Sequence, residues 1–488
     1  MYYSHAVRLF ILWFAGGAAV VCFFASLGQA GSRDKTSSAR SVYHADPQHL
    51  WNRLHEALFI RIGPDGRTYG QDRLEPLLWS HSKHLLDGSA HERVIAVLEE
   101  FLKSDGEKLI QDRLKRAVLQ RDLWLVFNWL EDDHSSFALP LLTPEAVRTA
   151  VTRLRRPLAA VIGRLALSPE DIRSLSANYE AAVASGQFAS RFDPEQPEVP
   201  YLPPELFAAD GPWVCVGRSD GITAPRHLAE ATANRFTNSV FIVFLRLPTG
   251  RGATLEYLNQ LRSFGQPLLI SNPVVSDQQS RPFMPNPQLP QFPKWTELAL
   301  VRRALLIDSS YRVAAAPITE SVQLRIVRGD VPSATPEILQ DATGSSSAGI
   351  RRVRSWQSVH ELRLSRSALF ENRAGGLRVA GADERDFKTG FNAHAYDVFE
   401  RSPPGDESFS AWGPQPGIRQ TCFGCHTLPG VYSFNSLQDF QAGLSDRDGN
   451  KVRPFPLSAM TVSEVAAAAV QWKEQRATWI SLRALLAE

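Results

Sequence analysis

Sulfur is scarce in this chain. Its 488 residues include four cysteines and three methionines. So few thiols cannot cross-link a chain of this length, which excludes a disulfide-dense scaffold. A second C-x-x-C and any H-x-x-x-H are missing, which removes the usual four-ligand zinc arrangements. Neither sign of charge is in excess. Fifty-three Lys and Arg against 51 Asp and Glu leave +2, so neither nucleic acid nor an anionic membrane surface is expected as partner. No internal repeat, nucleophile elbow, phosphate-binding glycine loop or paired-carboxylate signature is found. Gly250-Arg251-Gly252 is too short for a phosphate loop and reads as a turn. What remains is a globular composition, 44% apolar and 21% charged. The length suits about three domains.

Two of the four cysteines stand together, in Cys422-Phe423-Gly424-Cys425-His426. C-x-x-C-H is the attachment pattern of c-type haem. Two thiols three positions apart on one helical turn face the same edge of a macrocycle and can add to its two vinyl groups. The adjacent histidine can then bind the iron. A redox dithiol, a structural disulfide, half a zinc site and a chance occurrence are the competing readings. A redox C-x-x-C belongs beside a βαβ pattern, and none is evident. A zinc site needs two more ligands at similar spacing.

The N-terminus agrees with the haem reading. Arg8 precedes an uncharged, mostly apolar stretch, Leu9 to Leu27, followed by the small residues of Gly28-Gln29-Ala30. Residues 1–30 therefore read as a secretory signal cleaved after Ala30, with an uncleaved membrane anchor as the alternative, since the run is near bilayer-spanning length. Cys22 does not resemble a lipoprotein cysteine, because Val21 before it is not small. Covalent haem attachment in bacteria follows export, so a periplasmic or other extracytoplasmic location is expected, with membrane association through residues 9–27 if the signal is retained. Cys215, in Trp213-Val214-Cys215-Val216, lacks a partner and reads as a core residue of a strand.

The predicted fold class is α+β. After a polar lead-in, residues 31–193 show helical spacing, for example in Val94 to Leu102 and Leu114 to Trp129. Thr143-Pro144-Glu145 and Ser168-Pro169-Glu170 are helix starts. Arg153, Arg155 and Arg156 read as a solvated helix face. His81, His84 and His91 have no carboxylate or cysteine at ligand spacing and read as exposed helix-end histidines rather than a metal cluster. Prolines from 194 to 204 form a linker. Residues 205–380 read as a mostly antiparallel sheet with helices. Its strands are Ser239 to Leu247, Glu297 to Asp308, Ser321 to Val327 and Ser355 to Arg363, with a helix at Thr254 to Arg262. Residues 385–488 carry the motif and a final helix from the capping box Thr461-Val462-Ser463-Glu464 to Leu486.

By Cys422, Cys425 and His426 this last segment, about a fifth of the chain, resembles a c-type cytochrome domain. The resemblance implies a mainly helical fold around one covalent haem c. Cys422 and Cys425 would carry the thioethers and His426 would be the proximal iron ligand. The sixth ligand decides the chemistry: a thioether or imidazole closes the iron for electron transfer, whereas an open position admits ligands. Met460, 34 residues after His426, is the leading candidate and His394 the alternative. Met460 would otherwise be a hydrophobic staple for the final helix. The expected function is a mono-haem electron carrier serving a redox partner protein. A haem-dependent oxidoreductase with a pocket beside the middle region, or a haem-based sensor, are the alternatives.

Overall fold

Proline, glycine and capping residues punctuate the chain into ten α-helices, two short 3-10 helices (Gly106–Lys108 and Ala374–Gly376) and eleven strands among the described residues. The computed structural model describes residues 41–63, 66–72, 83–131, 143–218, 238–267, 269–271, 283–329, 356–381, 384, 430–431 and 457–488. The helices are α1 (Leu50–Phe59), α2 (Gly88–Lys103), α3 (Arg113–Leu130), α4 (Pro144–Arg164), α5 (Pro169–Arg173), α6 (Asn178–Ala184), α7 (Arg251–Ser263), α8 (Arg366–Phe370), α9 (Val462–Glu474) and α10 (Ala477–Leu486). The strands are β1 (Arg61–Ile62), β2 (Thr68–Tyr69), β3 (Val214–Arg218), β4 (Ser239–Arg246), β5 (Leu269–Ser271), β6 (Phe283–Pro285), β7 (Glu297–Ile307), β8 (Val313–Val327), β9 (Gln357–Leu364), β10 (Leu377–Val379) and β11 (Leu457–Ala459).

The expected mixed α+β class is present. A seven-stranded sheet runs β10-β9-β8-β7-β4-β3-β11, with every neighbouring pair antiparallel. Alternation gives it two faces. The back carries Cys215, Val240, Ile242, Phe244, Val301, Val322, Leu324 and Leu362, which share one core with α1–α4, α9 and α10. The front carries Val214, Val216, Phe241, Val243, Leu245 and Leu298, which pack with α7 through Tyr257, Leu258 and Leu261.

Helix starts follow their caps. The Asp112 carboxylate accepts from the N–H groups of Leu114 (2.8 Å) and Lys115 (3.1 Å), which opens α3. Thr143 and Ser168 accept from Ala146 and Asp171, each with proline at the first helical position. At α9 both halves of the capping box form: Glu464 N–H donates to Thr461 Oγ1 and Thr461 N–H to the Glu464 carboxylate.

Three local expectations change. The final helix is broken, because Arg476 is extended (φ −78°, ψ 141°). The bend lets α9 lie over the sheet while α10 turns Trp479 onto Trp124 of α3, ring centroids 5.6 Å apart. Strand β8 starts at Val313, eight residues before the expected Ser321. Pro317 is tolerated there because β9 pairs only with Ser321–Val327, and the register with β7 shifts beside it. His91 is not an exposed helix-end residue: it is buried and its Nδ1 lies 2.7 Å from Leu85 O. His84 is also largely desolvated, and burial lowers its pKa to about 3. His81 lies outside the described residues.

Candidate haem-attachment site

The motif residues Cys422, Cys425 and His426, and the alternative ligand His394, lie outside the described residues, as does the apolar stretch 9–27. The chain is described again at Gly430 and Val431, immediately downstream of the motif. Gly430 takes a left-handed turn (φ +57°), which suits glycine. Val431 is fully buried in the front cluster, which also holds Val214, Val243, Leu298 and Leu457. Its N–H donates to Gln291 Oε1 (3.2 Å). Burying a valine side chain this way contributes about 2 kcal/mol. The chain leaving the motif is thus anchored on the front face.

Met460 is placed on the other side. Strand β11 pairs with β3 through Leu457↔Arg218 and Ala459↔Val216, so Leu457 and Ala459 share the front with Val216. Met460 comes next and packs against the back core. Its N–H donates to Cys215 O (2.9 Å). It precedes the helix cap Thr461, and Val465, four positions into α9, is buried in the same core. That is the arrangement of a hydrophobic staple.

Cys215 is a free, buried thiol on the back of β3. Burial, with a smaller contribution from Glu464, pushes its pKa up to about 12, so it holds its proton and is a poor nucleophile or ligand.

The front changes character along the sheet. Register places Leu300, Gln323 and Glu361 in one row across β7, β8 and β9. Leu298, Arg325 and Val359 form the next row, and Arg302, Ser321, Arg363 and Arg378 another that extends to β10. The β3–β4 half is therefore apolar and the β8–β10 half is rich in guanidinium groups. Arg302 and Arg325 are each only 6% exposed. Arg325 Nε donates to Gln357 Oε1 (3.3 Å) and Arg363 Nε to Glu361 Oε1 (3.2 Å). Burial raises the pKa of Glu361, offset in part by Arg363, Gln323 and Arg302. This row was half legible: Val322, Leu324 and Ile326 marked the back, and the intervening Gln323 and Arg325 are its polar complement.

A second polar cluster joins the helices to the sheet. Asp122 of α3 accepts from Arg366 Nη2 (2.6 Å) and Nε (3.2 Å) and pairs with Arg121 Nη1 (3.3 Å). Arg121 Nε also lies 2.6 Å from Glu320 Oε1. Single residues inside apolar helical patterns gave no sequence signal for it.

Among the described residues no group of three His, Cys, Asp or Glu side chains is placed to hold a metal ion. No described helix is long and apolar enough to cross a membrane. Comparison with protein-family models, curated proteins and solved structures gives no match.

Proposed function

We propose that this chain is an exported mono-haem c-type cytochrome that transfers electrons through one covalently held haem. The observation that carries the reading is Cys422-Phe423-Gly424-Cys425-His426. Its donor set fits the group: two thiols for thioether bonds and an imidazole for the iron. The haem, when bound, supplies a one-electron iron couple. The polypeptide supplies tethering and position. Cys422 and Cys425 hold the macrocycle's edge, His426 binds the iron, and Val431 ties the following chain to the front of the sheet. A backbone carbonyl accepting from the second ring nitrogen of His426 would fix its orientation and tune the iron.

The compartment fits as well. The apolar stretch 9–27 and Gly28-Gln29-Ala30 support export. Cys215, the thiol left over in the mature chain, is buried and protonated, so it does not compete for the haem.

The test is expression in a host that matures c-type haem. Mature protein should retain its colour through denaturation, and its alkaline pyridine spectrum should report one haem per chain. Cys422→Ala with Cys425→Ala should abolish the retained colour. Colourless wild-type protein would end the proposal.

A further inference from the structure

We propose that α1 is a pH-sensitive element of the fold, docked while the histidines at its start, its buried face and its end are uncharged, and released from the helical layer in mild acid before the sheet unfolds. The inference is independent of the haem reading. Three contacts of one ten-residue helix carry it.

The first is the cap. His49 opens α1, and its Nδ1 accepts from Trp51 N–H (3.3 Å). His44 Nδ1 accepts from Asp46 N–H in the same way (3.1 Å). Both nitrogens must therefore be bare, because a proton on either would point at a backbone N–H. The two rings also stack, with centroids 4.3 Å apart and planes 24° from parallel. Charging one puts a cation against the other ring and at the positive end of the helix. Burial and His44 lower the pKa of His49; Asp46 opposes them and Lys115 of α3 adds to them.

The second is the buried face. His55 is 1% exposed. It lies edge-on to Tyr43 (5.6 Å) and stacks on Phe59 (5.5 Å), and its Nε2 is sealed from water without a hydrogen-bond partner. Burial and the Arg366 guanidinium of α8 hold it neutral. The carboxylates Asp122 and Asp72 act on that same guanidinium. A proton on His55 would thus place two cations together in the core.

The third is the end. His84 is hydrogen-bonded to the backbone of Ala57 in the last turn of α1. Burial, Arg61 and Arg93 disfavour its charged form, against the support of that hydrogen bond. All three sites give α1 contacts that only a neutral imidazole can make. A helix of this length is unstable alone in water, so release means melting. It would uncover Trp51, Leu54 and Leu58, all 0% exposed in the docked form.

The sign follows from proton uptake. The released segment binds protons near pH 6.5 and the docked one does not, so docking is complete above that pH and weakens below it. From pH 6 to pH 5 each histidine that charges on release favours it by about eightfold. His55 and His84 together give about sixtyfold, and His49 adds to it.

The experiment is amide hydrogen exchange of the full mature protein between pH 7 and pH 5, corrected for intrinsic exchange. Protection of the α1 amides should lie below that of the β7 amides throughout and fall by about sixtyfold from pH 6 to pH 5. His84→Gln should remove about eightfold of that fall. The readout is the slope with pH, so a variant that docks less firmly still tests it. His49→Asn keeps an acceptor at the cap and should preserve protection at pH 7 while making the slope shallower. Protection of α1 equal to that of β7 at every pH would overturn the proposal, since α1 would then open only with the whole molecule. So would an α1 slope that neither variant changes, because the protons would be binding elsewhere.

Discussion

Replacing Asp122 with alanine should be among the most damaging single changes available in the helical layer. Asp122 is 1% exposed and accepts two hydrogen bonds from Arg366, at 2.6 and 3.2 Å, while Arg121 Nη1 lies 3.3 Å away. Both arginines are also 1% exposed. Their charges were taken out of water on folding, and that cost is offset by Asp122 and, for Arg121, by Glu320. Truncation removes the carboxylate that Arg366 hydrogen-bonds, and leaves its guanidinium buried beside Tyr43 and His55 with only the more distant charge of Asp72 acting on it. Breaking a buried pair on one side costs about 3–5 kcal/mol, whereas replacing both partners by apolar groups is often neutral. Urea unfolding followed by far-ultraviolet circular dichroism measures it. Asp122→Ala should lose about 3–5 kcal/mol, and Asp122→Leu combined with Arg366→Met should recover most of that. A loss below about 1 kcal/mol in the single variant would show that water reaches Arg366, and the account of this junction would be wrong.

Acid should weaken the fold through buried histidines. Burial lowers the pKa of His55 well below 6.5 and that of His84 to about 3. The unfolded chain binds these protons first, so the stability is complete above pH 6.5 and is lost as pH falls below it. From pH 7 to 5 His84 alone should cost about 2 kcal/mol, and His84→Gln should flatten the measured pH dependence by that amount. Thr461→Ala removes the acceptor for Glu464 N–H and should cost about 1 kcal/mol in thermal or urea unfolding; no loss would mean that α9 is held by packing alone. Gly375→Ala should cost about 2–4 kcal/mol, because Gly375 is left-handed (φ +56°) and an added Cβ would run into the backbone oxygen of Asn178. A neutral Gly375→Ala would show that α6 can move away.

Much of the architecture is legible because it rests on local chemistry. The caps Thr143, Ser168 and Thr461 start helices, and the β-branched and aromatic run at Ser239 and the apolar run at Glu297 form strands. The bend at Arg476 is not legible, since Trp472, Trp479, Leu482 and Leu486 keep helical spacing through it and only tertiary packing separates the two helices. The long start of β8 is hidden by Pro317, whose missing N–H matters only if a second neighbour is present, which depends on where β9 ends. His91 looks exposed because it sits near a helix start, yet the carbonyl of Leu85 makes its burial tolerable. At the candidate site the motif was readable as chemistry alone. Packing supplies what spacing could not: Met460 packs against the back core and Val431 joins the front cluster.

Covalent haem content is the most direct measurement. Mature protein from a haem-maturing host, stripped by acid acetone and run on a denaturing gel, should keep peroxidase-active haem at one per chain, and the Cys422→Ala, Cys425→Ala form should keep none. Haem that washes out of the wild type, or a wild type that never acquires it, would contradict the account at its root.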